Sequence, residues 1–118
     1  MKTNRELIEA VYAAFNSREI ETVLAFLSPD VDWPKAMEGT RAHGRDEVRA
    51  YWTLQWSTIN PHVDPVRIHE DETGKTTVNV HQVVRDLAGT VLVDQMVQHV
   101  YSIESGLVTR MDIHPASE

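Results

Sequence analysis

At 118 residues, with 42% hydrophobic and 25% charged side chains, the chain has the composition of one globular domain with one core, which excludes a disordered segment and a two-domain arrangement. A net charge of −7 without a Lys/Arg cluster excludes nucleic acid as the expected partner, and the lack of cysteine excludes disulfides, thiolate metal sites and a cysteine nucleophile. No apolar leader follows Met1 and no run reaches membrane-spanning length, so the expectation is a cytoplasmic protein with no membrane partner.

Taken in order, Thr3-Asn4-Arg5-Glu6 has the spacing of a capping box and predicts the start of a first helix, whose Leu7, Ile8, Val11, Tyr12 and Phe15 fall on one stripe. Asn16-Ser17 breaks it. Ile20, Val23, Leu24 and Leu27 form the stripe of a second helix, stopped by Ser28-Pro29-Asp30. Residues 31–34 read as a short strand, and the stretch through Met37, Gly39 and Arg41 as a loop. After Gly44 a third helix carries Val48, Tyr51, Trp52, Gln55, Trp56 and Ile59 on one side, until Asn60-Pro61 ends it. A strand follows over 63–70, where Pro65 predicts an edge position or a bulge. The polar turn 71–75 leads into an antiparallel meander of three β-rich runs, 78–86, 91–101 and 107–114, separated at Gly89 and Gly106. Residues 115–118 form a small polar tail, expected to fray, within a single domain over 1–118.

The meander carries apolar residues on both faces, Val91, Val93 and Val97 on one and Leu92, Met96 and Val100 on the other. Such a sheet needs a covering layer on each side. The fold class expected is therefore α+β, with three N-terminal helices packed in the concave face of a curved, mainly antiparallel sheet of four to six strands. A second copy of the chain is expected to cover the outer face, giving a homodimer packed sheet to sheet; a Val-rich, partly exposed face is the alternative.

His81, Gln95, Gln98, His99, Arg110 and Asp112 sit among those apolar positions and are costly to bury without partners. If Ser105-Gly106 is a two-residue turn, Glu104 faces Leu107, and counting back sets His99 opposite Asp112, with Cβ atoms about 5 Å apart. A carboxylate there raises the imidazole pKa and fixes its tautomer. That suits a base poised near neutrality and equally a polar pair joining two strands. A three-residue turn would separate the two. Trp33, Trp52 and Trp56, with Tyr12, Tyr51, Met37 and Phe15, read as the lining of a pocket for a flat apolar ligand, or as plain core. Gln95, His81 and Arg110 are further candidates for substrate contact. The histidines share no metal-ligand spacing, so no metal or cofactor is expected.

The chain resembles the SnoaL-like branch of the nuclear-transport-factor-2-like superfamily. Three segments carry the likeness: residues 16–33 (NSREIETVLAFLSPDVDW), 44–52 (GRDEVRAYW) and 106–113 (GLVTRMDI). The resemblance implies a cone in which a curved sheet wraps around helices to leave a deep apolar pocket, together with frequent dimers. It implies no single activity, since members include cyclases, isomerases, epoxide hydrolases, dehydratases and non-catalytic domains. From SnoaL-like cyclases it implies an aspartate base on the last strand, matched by Asp112, and a substrate-binding histidine on the preceding strand, matched less closely by His99. Ketosteroid isomerases resembling this chain carry a carboxylate just before a proline at the end of the first strand; here Trp33 precedes Pro34, which argues against that activity. The Arg-x-Asp spacing of limonene-type epoxide hydrolases is met by Arg110 and Asp112, but on the final strand. The function expected is a cofactor-free acid/base catalyst of cyclase, isomerase or hydratase type acting on an apolar carbonyl or ring-containing compound. Asp112 would take the proton and His99 would orient it or stabilise the enolate. The alternatives are a non-catalytic binder of small hydrophobic ligands and a dimeric association domain.

Overall fold

The computed structural model describes residues 3–35 and 38–115. Helix α1 (Asn4–Asn16) starts where its capping box sets it: the Glu6 N–H donates to the Thr3 hydroxyl at 3.1 Å, and the Thr3 N–H donates to the Glu6 carboxylate at 3.1 Å. Its buried stripe is Leu7, Ile8, Val11, Tyr12 and Ala14. Helix α2 (Ile20–Ala25) is too short to persist alone and is held by burying Val23 and Leu24. Helix α3 (Arg45–Thr58) begins behind Gly44, whose φ of 86° favours glycine, and it buries Val48, Tyr51 and Trp52.

Six strands, β1 (Leu27–Lys35), β2 (Thr40–His43), β3 (Ile59–Glu70), β4 (Thr76–Asp86), β5 (Val91–Glu104) and β6 (Leu107–Pro115), form one curved sheet in the order β2-β1-β6-β5-β4-β3. All neighbours are antiparallel except β1 and β6, which run parallel. The fold is thus α+β with a mixed, mostly antiparallel sheet. Alternation assigns the faces. Val78 and Val80 of β4, and Val97, His99 and Tyr101 of β5, are buried toward the helices. On the other face His81 meets Asp94 at 2.7 Å and Gln98 donates to Asn79 at 3.2 Å.

Several local expectations change. The Ser28-Pro29-Asp30 stop lies inside β1, where the pairing with β6 shifts register between Leu27 and Asp32, so the helix breaker is a strand irregularity and α2 ends at Ala25. The stretch read as loop contains β2, paired with β1 from Asp32↔His43 to Lys35↔Thr40. Ile59 opens β3 and does not close α3. Pro115 ends β6 opposite Val97, and the rest of the polar tail, residues 116–118, lies outside the described residues. Pro65 meets both of its options, since β3 is the edge strand and its pairing shifts between Pro65 and Arg67.

The open side of β3 is closed by side chains from the end of α1. The Asn16 amide donates to the Val63 carbonyl at 2.8 Å and accepts from the Val63 N–H at 3.0 Å, completing the ladder in place of a seventh strand. Arg18, at φ 62°, donates to Asn60 Oδ1 and to the Pro61 carbonyl, and its guanidinium lies 5.0 Å from the Trp56 ring centre. No helix among the described residues is long and apolar enough to cross a membrane.

Candidate functional site

A cleft open to solvent lies between the inner sheet face and helices α1 and α3. Helix α1 presents Val11, Tyr12 and Phe15, spaced to share one face; α3 presents Tyr51, Trp52 and Gln55 in the same way. Trp33 and Pro34 come from β1, Pro61 and Val63 from β3, and Gln82 from β4. The floor is His99 and Tyr101 of β5 with Met111 and Ile113 of β6. Its wall is mostly apolar. Trp33 packs edge-on to Trp52 with ring centres 5.4 Å apart, which fixes both indoles in the wall.

A buried hydrogen-bond chain crosses the floor. The Tyr101 hydroxyl donates to the Tyr12 oxygen at 2.8 Å, and the Tyr12 hydroxyl stands 2.7 Å from His99 Nδ1. With Tyr101 donating to it, Tyr12 directs its own proton at Nδ1, which leaves the histidine proton on Nε2. No described residue hydrogen-bonds Nε2. His99 is 6% exposed, and burial lowers its pKa to about 4, so the imidazole is neutral at pH 7. Burial, and then the neighbouring Tyr101, hold the Tyr12 phenol well above its usual pKa; burial likewise raises that of Tyr101. The chain is therefore an uncharged relay ending in one N–H donor.

Asp112 is not part of it. The turn at Ser105-Gly106 has the expected pairing, with Glu104↔Leu107 and Ile103↔Val108. The register then shifts, so that Ser102 faces Arg110, Val100 faces Asp112 and His99 faces Ile113. The extra residue is Thr109, whose hydroxyl donates to the Ser102 carbonyl at 3.1 Å. One extra residue exchanges the faces of everything beyond it, so Met111 and Ile113 point into the cleft while Arg110 and Asp112 point away. Arg110 holds Asp112 through two hydrogen bonds of 2.9 and 3.0 Å and reaches Asp32 at 2.9 Å; Arg41 bonds both carboxylates. Arg110 above all, with Arg41 adding, keeps the Asp112 carboxyl below its usual pKa. This network ties β1, β2 and β6 together. The opposed His99–Asp112 pair is thus corrected: the two side chains serve opposite sides of the sheet.

The remaining candidates divide. Tyr12, Trp33 and Trp52 line the cleft. Trp56 stands behind the wall, stacked on Trp52 at 5.7 Å. Gln95 is exposed but on the cleft side, donating to Gln82 at 3.0 Å. His81 and Arg110 lie on the outer face, because each alternates with an inward neighbour. Met37 lies outside the described residues. Tyr101 and Gln82 were missed as site residues, although each sits two positions from an inward residue (His99 and Val80) and so shares its face. Gln55 shares the side of α3 that carries Tyr51 and Trp52, which the helical spacing shows. Among the described residues no three His, Asp or Glu side chains cluster to hold a metal.

The SnoaL-like domain profile matches residues 8–111. No curated protein matches the sequence significantly. Among solved structures, a Pseudomonas putida KT2440 protein assigned to the polyketide cyclases superposes with a TM-score of 0.85 at 21% identity, covering 98% of this chain and 93% of that one. A nuclear-transport-factor-2-like protein of unknown function from Burkholderia pseudomallei K96243 gives 0.83 at 28% identity over 98% and 92%. TerC, co-crystallised with polyporic acid, gives 0.82 at 26% identity over 96% and 91%.

Proposed function

Because this chain belongs to the SnoaL-like family, whose shared fold leaves the reaction to the pocket, we propose its function from the side chains lining that pocket: it binds an apolar, ring-containing carbonyl compound and activates it by hydrogen-bond donation from His99. The observation that carries this reading is the neutral, buried imidazole whose Nδ1 is engaged by Tyr12 while Nε2 has no partner among the described residues. A carbonyl oxygen seated on Nε2–H is polarised. When a proton leaves the adjacent carbon, the negative charge develops on the oxygen that the donor already faces. Water-poor surroundings strengthen that interaction, and Tyr12 and Tyr101 hold the ring so that no reorganisation is needed. The ring-containing ligand class is supported by the aromatic wall and by the likeness to TerC, which was co-crystallised with polyporic acid.

The described lining residues include no carboxylate, so proton removal falls to solvent or to the substrate itself. That suits cyclisation or tautomerisation of an already acidic carbon, with no cofactor required. It also favours a second reading, a non-catalytic binder of the same ligands. Deuterium exchange at the carbon next to the carbonyl of 1-tetralone, followed by NMR in D2O, separates the two. Wild type is expected to accelerate exchange, His99→Phe to lose about 10²–10³-fold of that acceleration, and Asp112→Asn to keep it. Binding of tetralone without accelerated exchange would remove the catalytic reading. An equal loss in Asp112→Asn would restore that residue as the base.

A further inference from the structure

We propose that Gln55 is a specificity-determining residue that accepts a hydrogen bond from the ligand, so that the pocket prefers ring-containing carbonyl compounds that also bear a hydroxyl or N–H. This deepens the reading of His99 as the carbonyl donor and rests on it. Gln55 lines the cleft from α3, one turn beyond Trp52 and Tyr51. Its Nε2 donates to the Tyr51 hydroxyl at 3.3 Å, while its Oε1 is buried with no hydrogen-bond partner. Native proteins rarely leave a buried amide oxygen unpaired, because the group loses its water without a replacement. Val11, Phe15 and Trp52, which line the same cleft, have no donor to offer except the indole N–H. A ligand that fills the cleft and is wholly apolar leaves Oε1 unpaired; one with a suitably placed hydroxyl or N–H pairs it.

The other polar ends in the cleft complement this one. His99 offers Nε2–H, and Gln82, whose Oε1 already accepts from Gln95, has its amide N–H groups left to give. The polar inventory is therefore donors at His99 and Gln82 and an acceptor at Gln55. Its match is a molecule with acceptor oxygens on one side and a donor on the other.

The test uses 2-acetylnaphthalene and its ring-hydroxylated isomers, titrated calorimetrically into wild type, Gln55→Met and Gln55→Glu. In wild type at least one hydroxylated isomer is expected to bind about ten-fold or more tightly than the parent ketone. That ratio should fall to near one in Gln55→Met, which keeps the length but loses the acceptor, and persist in Gln55→Glu, which keeps it. Because the preference is a ratio within one protein, partial unfolding of a variant cancels. Parent binding with no preferred isomer, or a preference that survives Gln55→Met, overturns the role of Gln55 and leaves the His99 reading standing. Failure of every ketone to bind wild type overturns both.

Discussion

His99 is kept neutral by the same burial that makes its N–H useful, and this links folding to acidity. Its pKa is about 4 in the folded chain, against roughly 6.5 when exposed. As pH falls below about 6.5 the unfolded chain takes up this proton first, so stability is lost between there and about 4 and is fully present above that window. The shift corresponds to a contribution on the order of 3 kcal/mol. Urea unfolding at pH 7 and pH 4.5 should show wild type losing more stability than His99→Phe. Equal losses would mean that another group carries the acid sensitivity. The sequence placed this histidine among apolar neighbours and flagged it as needing a partner. The partner is Tyr12, 87 positions away on a helix, a pairing that no strand counting could expose. The aspartate chosen in its place matched a family motif, but the motif does not record on which side of a strand its residue falls.

Among the elements, β3 depends most on a single side chain. Asn16 supplies both halves of a backbone pair to Val63 at the sheet edge, and the same strand contributes Pro61 and Val63 to the cleft. Asn16→Ala is expected to cost about 1–2 kcal/mol, read as a lower denaturation midpoint, with ligand binding weakened as that wall loosens. An unchanged midpoint would show that water replaces the amide without loss. The three helices were legible because each has an apolar stripe at a 3.6-residue period, and α1 also opens on a capping box. The meander was legible from Val-rich runs split by glycine. Strand β2 was not, since four residues containing Arg41 have no period to read and gain their order from β1. Residues 28–30 misled for a related reason: a proline that ends a helix is equally at home where a strand departs from its partner.

For the whole molecule, the outer sheet face is divided. Around β6 it is closed by the Asp32–Arg41–Arg110–Asp112 network, while near the β4–β5 turn it carries Val91, Leu92 and Met96, the last two 54% and 42% exposed. We propose that a second copy of the chain covers this apolar end. Met96→Glu should then shift sedimentation from dimer toward monomer, whereas a wild type that sediments as a monomer at micromolar concentration would dismiss the arrangement. Which residues of β6 face that surface, and which face the cup, is a matter of parity set at Thr109. Were the ladder regular through Thr109, with that residue opposite Ser102, the same sequence would turn its final strand over, offering a carboxylate and a guanidinium to the ligand and Met111 and Ile113 to the outside. Deleting Thr109 would keep the present faces, since Arg110 already stands opposite Ser102; the lip of the pocket is set by whether that residue is paired or skipped more than by any motif.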